Sequence, residues 1–204
     1  MAHVVEGIIL AAGLSSRMGR PKLLIEIDGA SMLVRVLRAA LASRLSRVIL
    51  VTGQSCEMQE DELAQFVQCP RLLRIVNPNP ALGMASSLKA GMSALLSDAS
   101  GVMVILADQP RLTSRVVDRL IEVFHGNPDK IVAPAVRGRR TTPVIFPAQL
   151  FPLLLEETGD VGGRNVVNNN PDKVVQICMD LWYDDTDVDT PDDLQRFLPE
   201  TTNE

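Results

Sequence analysis

Gly7-Ile8-Ile9-Leu10-Ala11-Ala12-Gly13-Leu14-Ser15-Ser16-Arg17-Met18-Gly19-Arg20-Pro21-Lys22 joins a buried apolar strand to a flexible Gly/Ser turn carrying two cations, Arg17 and Lys22. Backbone N–H groups of a glycine-rich turn approach phosphate oxygens closely, and the cations neutralise the charge gathered there. The layout suits a nucleoside triphosphate. The alternative, an ordinary strand-to-loop connection with two solvated cations, requires glycines, cations and apolar strand to coincide by chance. Two familiar phosphate motifs are excluded by spacing. A Walker A loop has four residues between its glycines, then Lys and Ser/Thr directly after the second. Here five residues separate Gly13 from Gly19, and Pro21-Lys22-Leu23 comes later. The dinucleotide fingerprint G-x-G-x-x-G is absent as well, which points away from NAD enzymes.

Outward from this stretch, short apolar runs alternate with amphipathic ones. Residues 4–11, 47–52, 72–76, 102–107 and 130–133 read as strands, and the first and fourth are almost continuously apolar, as in central strands of a parallel sheet covered on both faces. Residues 32–42, 58–67, 86–96 and 114–124 carry apolar side chains at the helix period. The alternation predicts an α/β fold, a doubly wound, Rossmann-like three-layer domain with a mostly parallel sheet. Such sheets bind ligands outside the carboxyl ends of the strands, where strand order reverses, and the Gly/Ser turn follows the first strand. Beyond residue 135 the alternation weakens. A basic turn at 136–142 precedes a short strand at 144–146, a helix entered through Pro147, a second Gly-rich loop at 159–163, one or two helical turns at 164–169 and a strand at 174–179. Thr190-Pro191-Asp192-Asp193 reads as a helix start, with an N-cap Thr and Pro at the first helical position.

At 204 residues and 46% hydrophobic content the chain suffices for one well-buried domain, its core built from aliphatic residues because aromatics make up only 3%. A net charge of −5 gives no electrostatic reason to expect a nucleic-acid partner. Cys56, Cys69 and Cys178 are scattered, with no C-x-x-C pair, which fits a reducing compartment and argues against structural zinc. No signal sequence and no apolar run of the roughly 18–20 residues needed to span a bilayer appear. The expectation is a cytoplasmic protein with no membrane partner.

Three further constellations carry chemistry. Asp108 ends a central strand on the same sheet edge as the Gly/Ser turn, and either caps the turn ahead of the next helix or faces the phosphates and holds Mg²⁺. Six acids crowd residues 184–193. An EF-hand is excluded, since counting from Asp185 the sixth place is Thr190 and the twelfth Arg196. One of these acids fits a metal ligand; the others are solvated or support the helix start through its dipole. Asn77-Pro78-Asn79-Pro80-Ala81-Leu82-Gly83-Met84-Ala85-Ser86-Ser87 is either a plain loop with a serine cap or an extended segment presenting amides and hydroxyls to a base edge. The only histidines, His3 and His125, lie away from these motifs, so no Ser-His-Asp or Cys-His set assembles. Nucleotidyl transfer to a phosphate acceptor needs no strong base, because the attacking oxygen is already ionised near neutral pH.

Taken together, Leu10 to Gly19 with Lys22, Gly83-Met84-Ala85-Ser86-Ser87-Leu88, Ala107-Asp108-Gln109-Pro110, Gly159-Asp160-Val161-Gly162-Gly163-Arg164 and Asp187-Val188-Asp189-Thr190-Pro191 resemble the MobA-like nucleotidyltransferases, a branch of the GT-A-type pyrophosphorylase superfamily. Within it the chain looks most like the molybdenum cofactor cytidylyltransferases, which join CMP from CTP to molybdopterin and release pyrophosphate. Their first motif reads Leu-Ala-Ala-Gly where the guanylyltransferases have Leu-Ala-Gly-Gly, so Ala12 leans toward cytosine.

The resemblance implies a role for each matching position. Leu10, Ala11, Ala12, Gly13 and Ser15, with Gly83, Met84, Ser86 and Ser87, would frame the nucleotide. Arg17 and Lys22 would hold the triphosphate and, with Asp108, carry catalysis. Asp108 and Asp189 would bind Mg²⁺, with Mn²⁺ as a substitute and Asp187 as the alternative ligand. Thr142, Pro143, Asp160, Gly162 and Arg164 would face the acceptor. Residues 1–112 would then form the nucleotide-binding part and 113–204 the acceptor-facing part of a single domain. The implied protein partner is a molybdo-hydroxylase of the xanthine dehydrogenase class or its maturation factor. Many cytidylyltransferases carry Gly-His-Pro where this chain has Thr141-Thr142-Pro143, a departure that bears on the acceptor rather than the chemistry.

Overall fold

β1 (Val5–Ala11) is buried along its whole length, and its alternating side chains divide between two cores. Val5, Ile9 and Ala11 face one apolar cluster, while Ile8 and Leu10 face the other. The period of two in a strand makes this division automatic, and a continuous apolar run satisfies both faces at once. A computed structural model describes residues 3–13, 22–54 and 60–187.

Around β1 the strands β2 (Glu26–Ile27), β3 (Ala30–Ser31), β4 (Val48–Thr52), β5 (Leu72–Val76), β6 (Gly101–Leu106), β7 (Ile131–Val136), β8 (Arg139–Arg140), β9 (Val144–Pro147) and β10 (Val174–Cys178) follow in chain order. β2 and β3 form their own hairpin. The others make one eight-stranded sheet in the order β5-β4-β1-β6-β9-β7-β10, with β8 paired to β7. β5, β4, β1 and β6 are mutually parallel, as is the pair β7 and β10. β9 runs antiparallel to both its neighbours, β6 and β7. The mostly parallel, Rossmann-like sheet expected from the alternation is therefore present, and β1 and β6 lie side by side in it. Successive strands climb from β1 to β5 on one side before the chain crosses back to β6, so the order reverses between β1 and β6.

The helices are α1 (Met32–Leu41), α2 (Glu60–Ala64), α3 (Met84–Met92), α4 (Ser114–Gly126), α5 (Phe151–Glu156) and α6 (Arg164–Asn169). Leu33, Val36 and Leu37 of α1 and Val117, Leu120 and Phe124 of α4 fill the core on one face. Leu88 and Met92 of α3, Leu154 of α5 and Val166 and Val167 of α6 fill the other. Ser31 and Thr113 cap α1 and α4, each side chain accepting from the backbone N–H three residues on.

Several expectations are corrected. α3 starts at Met84 and stops at Met92, well short of residue 96. Past its end Leu96 N–H donates to Glu6 Oε1 at 2.9 Å and Arg47 donates to the Ala94 carbonyl, which draws the chain out of the helix. The stretch 136–142 is not only a turn. Arg137 (φ 52°) and Gly138 (φ 74°) make a two-residue connection that pairs β8 back onto β7. Asp28 (φ 49°) and Gly29 (φ 76°) do the same between β2 and β3, a hairpin absent from the sequence reading. The reading 58–67 reduces to α2 among the described residues, and the helix start at Thr190 lies outside them.

Candidate nucleotidyl-transfer site

The site follows from the order reversal. Gly13 leaves β1 and Asp108 leaves β6, both at the carboxyl edge and on the two strands that flank the switch point. The chain re-enters at a short 3₁₀ turn, Lys22–Leu24, whose Leu23 packs into the core beneath α1. That anchor brings Lys22 into the edge, where Nζ lies 2.9 Å from Asp108 Oδ2. Lys22 is 9% exposed, so its ammonium is held in a shielded position. The other carboxylate oxygen of Asp108, Oδ1, is buried and has no hydrogen-bond partner among the described residues. An unsatisfied buried acceptor costs about 1–3 kcal/mol, more when charged. A divalent cation would remove that cost.

The donor set fits a hard divalent cation such as Mg²⁺. Mg²⁺ is held by one or two carboxylates plus substrate phosphates rather than by an all-protein cage. Among the described residues no group of three or more His, Cys, Asp or Glu gathers into such a cage, and Asp108 offers one open oxygen.

Leu10, Ala11 and Ala12, expected to frame the nucleotide, are buried, and Gly13 is exposed. Gly53, which follows β4, stands between this stretch and the Asn77–Ser87 segment. A Cβ there would sit 3.5 Å from the Ala12 carbonyl oxygen and 3.8 Å from Pro80 Cγ. Asn77 is buried and fastens the segment. Its amide donates to the Ser86 and Ser87 hydroxyls at 2.8 and 3.0 Å, and its side-chain oxygen accepts from Asn79 N–H at 2.9 Å. Ser86 and Ser87 thus hold the loop in shape.

Two groups kept apart in the sequence reading meet here. The Gly159–Arg164 loop lies directly on the N-terminus of α3. Ala85 N–H donates to the Gly159 carbonyl at 2.9 Å, and Met84 N–H donates to Asp160 Oδ1 at 3.2 Å. Gly83 adopts φ 89° and ψ 179°, and a Cβ on it would fall 2.5 Å from the Gly159 carbonyl carbon. Gly162 packs on Met84, and Arg164 is exposed at the start of α6. Glu157, whose importance the sequence reading missed, fixes this loop: its buried carboxylate accepts from Gly163, Asn165 and Val166 N–H at 2.6, 3.0 and 3.2 Å. The only prior sign of it was an acid just ahead of a Gly-rich loop.

Thr142, at the end of the β8 turn, donates to Gln109 Oε1 at 2.6 Å, and Pro143 is buried behind it. Gln109 and Tyr183 were also missed as site residues. Tyr183 is buried with its hydroxyl 2.9 Å from the Thr142 carbonyl and 3.1 Å from Gln109 Oε1. Burial pushes the Tyr183 phenol well above its ordinary value, and the carboxylates of Asp185, Asp187, Asp184 and Asp108 add to the rise. The acidic stretch that follows is not merely solvated: Asp184 pairs with Arg111 at 3.3 Å and Asp185 with Arg137 at 3.6 Å. Ser15, Arg17 and Asp189 lie outside the described residues, while Asp187 is exposed at the last described position.

A cation and a carboxylate are paired at the switch point of a Rossmann-like sheet, beside a glycine-lined edge, an arrangement suited to phosphate binding. The chain belongs to the MobA-like NTP transferase family, whose domain matches residues 7–174. Purine catabolism protein PucB of Bacillus subtilis (strain 168) is 30% identical over 172 residues, 80% of each chain. Nicotine blue oxidoreductase of Paenarthrobacter nicotinovorans is 29% identical over 95% of this chain and 96% of its own. Molybdenum cofactor cytidylyltransferase of Escherichia coli (strain K12) is 27% identical over 93% of each. Among solved structures, Rv0371c from Mycobacterium tuberculosis H37Rv superposes with a TM-score of 0.81 at 25% identity, covering 97% of this chain and 99% of that one.

Proposed function

We propose that the chain is a cytidylyltransferase that moves CMP from CTP to the phosphate of molybdopterin. An ionised oxygen of the acceptor phosphate forms a bond to the α-phosphorus. The bond from that phosphorus to the bridging oxygen breaks, and its electron pair leaves with pyrophosphate. Lys22 exchanges its contact with Asp108 for the triphosphate and balances charge on the α-phosphate as the bond breaks, with Arg17 assisting. Asp108, through its open oxygen, and Asp189, with Asp187 as the alternative, would hold Mg²⁺. Mg²⁺ bound there would supply Lewis-acid neutralisation of the phosphates. Preorganised charge of this kind carries phosphoryl chemistry without a general base.

The observation that carries the choice of base is Ala12. It is buried with its backbone beside Gly53, and a methyl group there, where the guanylyltransferases carry glycine, would leave less room for a purine. The alignment to the E. coli cytidylyltransferase over 93% of both chains supports the acceptor. The product would pass to a molybdo-hydroxylase of the xanthine dehydrogenase class or its maturation factor in the cytoplasm. Among the described residues no helix is long and apolar enough to cross a membrane.

Pyrophosphate release by the purified protein with Mg²⁺ and molybdopterin, compared across CTP, GTP, ATP and UTP, tests this reading. Release with CTP alone is expected. Release with GTP overturns the base assignment, and turnover only with another phosphorylated acceptor overturns molybdopterin. A non-catalytic cofactor carrier would release no pyrophosphate and would still bind molybdopterin after Lys22→Ala and Asp108→Ala.

A further inference from the structure

Gln109 stands next to Asp108 in the chain, yet its side chain points away from any phosphate contact the fold suggests. It is 2% exposed and occupies the junction of three segments. Its amide oxygen accepts from the Thr142 hydroxyl at 2.6 Å and lies 3.1 Å from the Tyr183 hydroxyl. Its amide nitrogen lies 3.5 Å from the Asp185 carbonyl. The single proton of Tyr183 is shared between Gln109 and the Thr142 carbonyl at 2.9 Å, closing a three-membered ring of contacts. A buried polar network with every member engaged is rigid, and a shift in one member is felt by the others. Outside the ring, the pairs Arg111–Asp184 and Arg137–Asp185 tie the segment after Tyr183 to the elements that carry Asp108 and Thr142.

We propose that Gln109 is a positioning residue that locks the Thr142 turn and the Tyr183–Asp187 segment to Asp108, so that nucleotide bound at Lys22 and Asp108 fixes the acceptor side of the site. The inference rests on the reading of Thr142 as acceptor-facing. It makes acceptor binding depend on nucleotide through one buried amide, and a bound nucleotide must be felt at residues 180–187.

The chain has one tryptophan, Trp182, and it stands in this segment beside Tyr183, its ring 4.9 Å from Arg115 Cζ. Its fluorescence therefore reports on the segment alone. CTP or GTP with Mg²⁺ is titrated into the wild type, Gln109→Ala and Thr142→Val, with calorimetry for binding and Trp182 emission for the response. The expected result is an emission change in the wild type that Gln109→Ala abolishes and Thr142→Val weakens, with nucleotide affinity within about two-fold in all three. In turnover assays both variants should raise the acceptor KM by about ten-fold and leave the nucleotide KM nearly unchanged, a split that general destabilisation does not produce. Thr142→Val keeps the shape of the turn and serves if Gln109→Ala fails to fold. Nucleotide binding with no emission change in the wild type, or with an unchanged response in the variants, overturns the coupling and leaves the proposed function standing. Binding of neither nucleotide overturns both.

Discussion

Gly83→Ala should disable the protein through the loop it touches. The native φ of 89° with ψ 179° belongs to a region only glycine occupies comfortably, so a side chain costs about 1–3 kcal/mol in backbone strain. The new Cβ would also lie 2.5 Å from the Gly159 carbonyl carbon and 2.6 Å from its oxygen, both backbone atoms that have no rotamer to escape into. Reaching ordinary contact at 3.4 Å requires the two chains to part by about 0.9 Å. A retreat of that size carries the 2.9 Å bond from Ala85 N–H to Gly159 beyond hydrogen-bond range, and the 3.2 Å bond to Asp160 with it. Each lost bond costs about 1 kcal/mol, so the whole substitution should cost roughly 3–5 kcal/mol. Chemical denaturation reads that number directly. A displacement of about 1 Å in a positioning element also costs about 10²-fold in rate. Turnover measured well below the unfolding transition separates this from loss of folded protein. Wild-type stability and wild-type turnover in Gly83→Ala would refute the close approach of the two loops.

Lys22→Ala and Asp108→Ala should each lower pyrophosphate release by two orders of magnitude or more, about 3 kcal/mol of transition-state stabilisation, with circular dichroism unchanged; near-wild-type rates in both would remove them from the chemistry. Glu6 is fully buried at the opposite end of β1 and paired with Arg47 at 2.8 Å, so Glu6→Ala should cost about 2–3 kcal/mol in denaturation midpoint analysis and leave both KM values alone. Tyr183 is the chain's one tyrosine, and its raised pKa means the folded state keeps the phenol proton at pH values where the unfolded state has lost it. Its contribution to stability is therefore full below about pH 10 and declines as the pH rises from there toward the folded value. Absorbance at 295 nm should show no tyrosinate step near pH 10 while the protein remains folded; an ordinary titration there would contradict the burial of the hydroxyl.

The strands were legible because their burial is written as unbroken apolar runs: β1 and β6 serve two cores and can carry almost nothing polar. The meeting of Lys22 and Asp108 was legible because each stands close to a mark in the sequence, a run of Gly and Ser or the end of an apolar strand. What the sequence obscured was tertiary in origin. The end of α3 is decided by Glu6 and Arg47, some forty to ninety residues away in the chain, which satisfy groups a helix would otherwise use. Glu157 looks like any surface acid until three backbone N–H groups of the following loop converge on it. Tyr183 sits just ahead of a run of aspartates, yet it follows β10, the partner of β7, and is buried with its hydroxyl against Thr142 and Gln109. The two short hairpins were there to be read: Asp28-Gly29 and Arg137-Gly138 have glycine where left-handed backbone is required, but flanking strands of two residues give no periodicity to find.

The reversed direction of β9 has a consequence for how this fold diversifies. A parallel strand delivers to the ligand edge the residues that come after it, as β1 delivers Gly13 and β6 delivers Asp108. Val144 of β9 pairs with Val104 of β6 in the opposite sense, so what arrives at that edge is the chain ahead of it, Thr142 and Pro143. The Thr142–Pro143 connection thus runs between β8 and β9, two short strands that both lie antiparallel to β7. Its length and side chains can be rewritten while Gly13 after β1 and Asp108 after β6 stay as they are. On the proposed reading, nucleotide chemistry and acceptor choice lie on separate pieces of backbone, which meet where Gln109 accepts from Thr142 and where the Gly159 loop rests on the start of α3.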